Sequence, residues 1–265
     1  MFVKWKIYFN CYNSFLANNF YKKFKTKYNI VYYKNDINDL NSFKSIIKNK
    51  KIDHIIHFAA LTRSKCIVNK IICKKTNYHA VVRIIDFLNT IKNKPKFIFI
   101  SSSHVYDYSN LKIREHFKTK PRDLYGKLKL KSELYIKHNY INYTILRLFN
   151  VYGEYQSKFH FIPDIFFKIK NNKIIKINKS IRDFINVDEV SQIISFVIKK
   201  NIISTINVGS GEGKSLLSVI KFIANKININ PKIRLVNKSD KIVANINKLK
   251  LLGYKFTINE KNFNF

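Results

Sequence analysis

Two short runs constrain this chain more than anything else in it. Ile55-Ile56-His57-Phe58 and Phe97-Ile98-Phe99-Ile100 are apolar along their length rather than at alternate positions. Strands that read this way hide both faces, and such strands belong to parallel sheets covered by helices. The rest of the chain keeps the same rhythm. Strands are predicted at Trp5–Phe9, Ile30–Tyr33, His54–Phe58, Lys96–Ser101, Tyr143–Leu148 and Thr205–Val208. Helices are predicted between them at Ser14–Phe24, Asp39–Lys48, Thr76–Ile91, Tyr125–Asn139 and Val187–Lys199, the alternation of a doubly wound α/β sheet. After about residue 151 the rhythm loosens. Residues 1–150 are therefore expected to form the main domain and 151–265 a smaller lobe, with about 182–208 returning to the main sheet.

With 265 residues, 46% of them hydrophobic, the chain can bury a sizeable core. Lysine and arginine number 50 against 16 acidic residues, a net charge of +34. The lysines are spread evenly and arginine is scarce, whereas nucleic-acid surfaces cluster both and favour the arginine fork. A solvated basic surface is the expectation, with nucleic acid an unlikely partner. Glycine and arginine resist the compositional bias, which directs attention to where they stand. Cys11, Cys66 and Cys73 form no CxxC pair and leave an odd thiol, so no disulfide scaffold is expected and a reducing cytoplasm is the predicted home. The longest uncharged stretch, Ile7–Tyr21, is too short and too rich in Asn to span a bilayer. No membrane partner and no metal site are predicted.

The chemistry concentrates around Tyr125-Gly126-Lys127-Leu128-Lys129. A tyrosine and a lysine four apart share a helix face. A nearby ammonium favours phenolate, and lowering a phenol by three pKa units takes roughly 4 kcal/mol. Upstream, Ser101-Ser102-Ser103-His104 follows an apolar strand, at the strand end where open α/β sheets bind ligands. Ser102 can hydrogen-bond a reacting oxygen next to Tyr125.

In order along the chain, these motifs resemble the NAD-dependent epimerase/dehydratase family of extended short-chain dehydrogenase/reductases, which act on sugar nucleotides. The resemblance takes in Asp36-Ile37-Asn38-Asp39-Leu40, Phe58-Ala59-Ala60, Asn77, Ser102, Tyr125 with Lys129, Leu146–Gly153, Arg182–Glu189 and Ile206–Gly213. It implies a Rossmann-like sheet with a C-terminal substrate lobe. It further implies hydride transfer with Tyr125 as acid/base, Lys129 depressing its pKa and holding the nicotinamide ribose, and Ser102 orienting the substrate oxygen. NAD or NADP would lie against Cys11, Ser14, Phe15, Leu16, Asp36, Ile37, Phe58, Ala59, Ala60 and Asn77. Ser103, His104, Asn150 and Arg182 would face a nucleotide sugar, with Arg182 on its diphosphate. A homodimer through a helix pair is the usual arrangement in the proteins it resembles.

Two departures shape the expectation. Dehydratases of this family carry an Asp-Glu pair where this chain has Ser103-His104, which argues against 4,6-dehydration and for epimerisation or ketosugar reduction; His104 could supply an extra acid/base. The cofactor loop G-x-x-G-x-x-G is replaced by small residues, Cys11, Ser14 and Ala17. A β-carbon at a positive-φ position costs ~1 kcal/mol, and side chains at Cys11 and Ser14 would crowd the phosphates. The alternative reading is therefore a catalytically impaired member acting as a binding or assembly protein. Only one strand, Ile30–Tyr33, fits before Asp36, and Lys34 near the ribose would favour NADP. Gly209–Ser215 looks like a Walker A loop but lacks the first glycine, and it reads as a strand-to-helix turn with Ser215 as N-cap.

Overall fold

The computed structural model describes residues 5–10, 14–33 and 36–257. Along the chain the elements are β1 (Lys6–Asn10), α1 (Phe15–Phe24), β2 (Asn29–Tyr33), α2 (Leu40–Lys50), β3 (His54–His57), α3 (Arg63–Val68), α4 (Lys70–Lys74), α5 (Ala80–Asn89), β4 (Lys96–Ser102), α6 (Leu124–Asn139) and β5 (Tyr143–Leu148). They continue with β6 (Asn150–Tyr152), α7 (Phe161–Lys170), β7 (Ile175–Asn178), β8 (Ile181–Asn186), α8 (Val187–Lys199), β9 (Ser204–Val208), β10 (Gly213–Ser215), α9 (Leu216–Lys226), β11 (Ile233–Val236), β12 (Lys241–Ile242) and α10 (Asn247–Leu251). No described helix is long and apolar enough to cross a membrane.

These elements pack as two compact units. The first comprises Met1–Asp107, Lys118–Leu148 and Ser191–Ile206. Its sheet has the order β2-β1-β3-β4-β5-β9, with parallel pairing from β2 through β5. This is a Rossmann-like, doubly wound sheet whose strand order reverses between β1 and β3, the crevice where such folds take their ligands. β3 and β4 are buried at every position, as their unbroken apolar runs require. One face of the sheet packs Tyr8, Ile55, Phe97 and Phe99 against Phe43 of α2 and Ile84 and Leu88 of α5. Each full burial of that kind contributes roughly 1.5–3 kcal/mol.

The predicted helix over Thr76–Ile91 is more broken than its pattern suggests. It begins after α3 and α4, passes through a π-helical turn at Lys75–His79 and becomes regular α5 at Ala80. Asn69 separates α3 from α4 in an extended conformation and caps α4, its side chain accepting the Ile72 N–H at 2.9 Å. The break folds the two short helices together and Cys66 bonds to Cys73, a pairing not expected from the sequence.

The second unit comprises Tyr108–Phe117, Phe149–Val190 and Asn207–Phe265. β8 is its centre, flanked by β10, β12 and β6, while β7 pairs with β11. Ile165 and Ile169 of α7 and Val219, Ile220 and Ile223 of α9 build its core with Ile175 and Phe184. Asp183 is fully buried and organises the Gly209–Gly213 turn. Its carboxylate accepts the Ser210 N–H and Oγ–H at 2.7 Å and the N–H groups of Gly211 and Ala244 at 3.0 Å. A Cβ at Gly209 would stand 2.6 Å from that carboxylate. Ser215 caps α9 by accepting the Ser218 N–H at 3.0 Å, so the Walker-like string is a structural turn.

Candidate active site

β4 ends in Ser102 and runs into a single 3-10 turn, Ser103–Val105. Ser102 caps that turn, its Oγ accepting the His104 N–H at 3.2 Å, and it lies close enough to the Tyr125 phenol to favour its ionised form. Tyr125 sits in the first turn of α6, whose N-cap is Asp123, accepting the Gly126 N–H at 2.8 Å. Gly126 lets the helix start lie directly on the turn. A Cβ there would stand 2.2 Å from the His104 carbonyl oxygen, so only glycine fits. One turn further along α6, Lys129 is buried, donates to the Ile100 carbonyl at 2.7 Å and lies 4.7 Å above the Phe99 ring. Its Nζ is 5.9 Å from the centre of the Tyr125 ring. Ser102, Tyr125 and Lys129 are thus brought together at the carboxyl end of β4.

The electrostatics differ from the expectation that Lys129 depresses the phenol. Burial pushes Tyr125 up to about 12; Ser102 opposes this and the Asp123 charge adds to it. Burial also pulls Lys129 down to about 7, partly countered by Glu133. Desolvation disfavours phenolate and ammonium alike, and it is the largest cause at both groups.

Glu133, on the same helix, is fully buried and takes two bonds from Arg147 Nε at 3.0 and 3.1 Å and one from Nη2 at 2.6 Å. Arg147 Nη1 donates to Tyr106 Oη at 2.6 Å, and Ser101 Oγ donates to Glu133. This ion pair ties α6 to β4 and β5, and holds the helix that carries Tyr125 and Lys129 in place.

Among the residues expected at the dinucleotide, Cys11 lies outside the described residues, as does Lys34. Ser14 is not strained: its φ is −83°, and its hydroxyl turns onto the helix, accepting the Ala17 N–H at 3.2 Å. It is the N-cap of α1, with the amides of Phe15 and Leu16 ahead of the first intrahelical bond. Asp36 accepts the Asn38 N–H at 2.9 Å in the turn before α2, and Ile37 is buried in the core. Phe58 and Ala59 are buried and Ala60 half-buried behind β3. Asn77 is buried with its amide engaged by Leu61, accepting that N–H at 2.7 Å and donating to that C=O at 2.9 Å, while its nitrogen lies 3.5 and 3.6 Å from the sulfurs of Cys66 and Cys73. It therefore holds the loop after β3.

The substrate-side residues are divided between the two units. Ser103 is buried in the turn, and His104 is half-exposed with its Nδ1 2.9 Å from Asp123 Oδ2. Asn150 and Arg182 belong to the second unit. Asn150 donates to the Asp183 carbonyl at 2.8 Å. Arg182 is ion-paired with Asp240, bonds the Ile181 carbonyl at 3.0 Å and lies 5.3 Å above the Tyr108 ring.

Three groups were not singled out by the sequence reading. Asn10, buried at the end of β1, bonds His57 Nδ1 at 2.8 Å and accepts the Ala59 N–H at 2.7 Å, latching β1 to the loop after β3. His57 is held at about 3 by burial, reinforced by the Lys129 charge. Asp123 was legible as an N-cap two residues ahead of Tyr125, but its hold on His104 was not.

Known proteins of similar sequence and fold place the chain in a family. An uncharacterised protein of Methanocaldococcus jannaschii is 29% identical over 270 residues, covering 93% of this chain and 80% of its own length. A dTDP-D-glucose 4,6-dehydratase of Dictyostelium discoideum is 28% identical over 219 residues, 74% of this chain; the match spans half of that longer protein. The solved UDP-N-acetylglucosamine 4-epimerase of Methanobrevibacter ruminantium, in complex with UDP-N-acetylmuramic acid, superposes with a TM-score of 0.86 at 20% identity, covering 96% of this chain and 93% of that one. Residues 15–209 match the NAD dependent epimerase/dehydratase family, and the chain belongs to that family.

Proposed function

We propose that this chain is a NAD(P)-dependent nucleotide-sugar epimerase or ketosugar reductase in which Tyr125 exchanges a proton with a sugar hydroxyl. The observation that carries the reading is the convergence of the Ser102 hydroxyl, the Tyr125 phenol and the Lys129 amine at one strand end. The residues present fit a dinucleotide. The capped start of α1 offers its first amides to an anion at the crevice beside β1, and buried Lys129 has three donors, of which Ile100 takes one. Phe15 and Leu16 would meet the pyrophosphate and Lys129 the nicotinamide ribose. Bound there, the nicotinamide supplies the hydride acceptor or donor.

The chain's own residues handle the proton. Ser102 orients the substrate oxygen and Tyr125 takes or returns its proton. Moving the phenol from about 12 to neutrality needs roughly 7 kcal/mol of differential stabilisation. Lys129 supplies part of it when protonated, and at about 7 it is poised between its two forms at neutral pH. That same demand favours the second reading, a member of the family that binds without turning over, together with the replacement of the loop glycines by Cys11, Ser14 and Ala17.

Titration with NADH, followed by its fluorescence, and turnover of UDP- and dTDP-linked sugars by wild type and Tyr125→Phe separate the readings. Binding with turnover that falls at least 100-fold in Tyr125→Phe supports the enzyme. Binding without turnover supports the impaired member, and no binding at millimolar NADH ends the dinucleotide reading.

A further inference from the structure

The Cys66–Cys73 bond lies against the proposed site. Both cysteines are buried, and with Leu128 they form one cluster on which Leu61, Leu124 and Tyr125 pack. Two polar ties run the same way. The Asn77 side-chain nitrogen lies 3.5 and 3.6 Å from the two sulfurs and donates to the Leu61 carbonyl at 2.9 Å. At the start of α3, Arg63 Nε donates to Asp123 Oδ2 at 2.9 Å, and Asp123 caps the helix that carries Tyr125 and Lys129.

Breaking the bond disturbs all of these contacts. Bonded sulfurs stand about 2.05 Å apart, whereas unbonded heavy atoms rest about 3.5–4.0 Å apart, so two thiols must part by roughly 1.5 Å. A close-packed interior has no room for that. The displacement passes to the atoms around the sulfurs: the Asn77 amide, Leu128 and Tyr125. The Leu61 carbonyl also stands 3.6 Å from Cys66 Sγ, so a new S–H there turns onto the acceptor that Asn77 holds. The bond is covered only by α3 and α4, of six and five residues, lengths that are not stable alone. Their outer side chains stand in solvent, Val68 88% and Ile71 80% exposed, and a local opening of this turn admits a small thiol.

We propose that Cys66 and Cys73 are a thiol–disulfide exchange site that assembles the proposed active site when bonded and loosens it when reduced. This rests on the proposed function and adds a regulation to it. The reactant is a dithiol reductant. One of its thiolates attacks one of the two sulfurs, the Cys66–Cys73 bond breaks, and the other cysteine leaves as a thiolate that takes up a proton. The reductant's second thiolate then displaces the first cysteine from the mixed disulfide. Two electrons and two protons end on the cysteines, and the reductant closes to its own disulfide.

The test is NADH titration by fluorescence, with turnover of UDP- and dTDP-linked sugars, on one protein in two states. Wild type is measured after oxidised glutathione, after dithiothreitol and after re-oxidation, with thiol labelling to report the bond. The Cys66→Ser/Cys73→Ser double variant is measured with and without dithiothreitol. Reduction should weaken NADH binding on the order of 10-fold, the worth of one hydrogen bond, and slow turnover ~100-fold for a shift of about 1 Å. Re-oxidation should restore both. The variant should match the reduced wild type and ignore dithiothreitol; where the variant does not fold, the reversibility in wild type decides. Where no sugar turns over, the NADH affinity decides. A cross-link that only stabilises the fold would lower the thermal midpoint on reduction and leave NADH affinity and turnover unchanged. That result overturns the proposal and leaves the proposed function standing, as do cysteines that stay unbonded in oxidised glutathione or a variant that loses affinity in dithiothreitol. A wild type that binds NADH in neither state overturns both.

Discussion

Gly126→Ala tests whether the close approach of α6 to the turn after β4 is what assembles the site. The added Cβ would stand 2.2 Å from the His104 carbonyl oxygen, 2.9 Å from its carbon and 3.1 Å from Pro121 Cβ. An ordinary carbon–oxygen contact is about 3.3 Å, so helix and turn must part by about 1 Å. Two effects compete. Alanine is the better helix former by ~1 kcal/mol, and overpacking costs ~1–3 kcal/mol. The clashing atom is backbone in a turn held by the Tyr106 N–H to Ser103 C=O bond at 3.0 Å and by the Ser102 cap, so it cannot swing aside and the upper part of that range applies. A net loss of ~1–2 kcal/mol follows, lowering the thermal midpoint by about 2–8 °C. The same displacement separates Ser102 from Tyr125, and a misplacement of about 1 Å costs on the order of 100-fold in rate. Calorimetry and turnover on the best nucleotide sugar measure both effects. A Gly126→Ala protein as stable and as active as wild type would refute the reasoning.

Burial holds His57 at about 3 and His54 at about 4, both below the ~6.5 of an unfolded histidine. The unfolded chain therefore binds more protons as pH falls below 6.5, and each histidine costs ~2 kcal/mol of stability between pH 7 and 5. Urea midpoints at the two pH values should show that His57→Gln removes ~2 kcal/mol of this loss. Arg147→Met strands a buried Glu133 and should cost ~3–5 kcal/mol, while the double change with Glu133→Leu should recover most of it; urea unfolding of the single and double variants decides. Thiol labelling of the unreduced, denatured protein should find one free cysteine, Cys11, and three after reduction, because Cys66 is bonded to Cys73; closing so short a loop stabilises by ~2–3 kcal/mol, and three thiols without reductant would count against the bond.

The sheet was legible because its signals are local. Unbroken apolar runs mark strands covered on both faces, and all six predicted main-sheet strands lie within a residue of their observed bounds. Ser102, Tyr125 and Lys129 were legible because strand ends and helix spacing place them. What stayed hidden depends on distant partners or on broken geometry. Asn10 meets His57 and Ala59 across 47 and 49 residues, and nothing in the local pattern of β1 distinguishes a buried latch from a surface amide. Seven residues of straight helix would hold Cys66 and Cys73 about 10 Å apart; Asn69 interrupts the helix and brings their Cα atoms to 5.0 Å. The pKa balance of Tyr125 was missed for a similar reason: spacing shows a nearby cation, but only packing shows that both groups lose water together.

The arginines explain how so basic a chain keeps a defined interior. Five of the seven hold a side-chain acceptor: Arg63 on Asp123, Arg83 on Asn38, Arg122 on Asp107, Arg147 on Glu133 and Arg182 on Asp240. Arg147 shows why lysine would not serve. Three of its nitrogens bond at once to Glu133 and Tyr106 while its guanidinium lies 4.8 Å from the Tyr106 ring, a planar, multiply donating contact that a single ammonium cannot reproduce. Lysine, a flexible and strongly hydrated point charge, can occupy the solvent-facing positions at little cost, and of the four lysines on α6 only Lys129 is buried beside that network. That network holds the helix, the helix holds Tyr125 and Lys129, and the surface charge is physically separable from the chemistry.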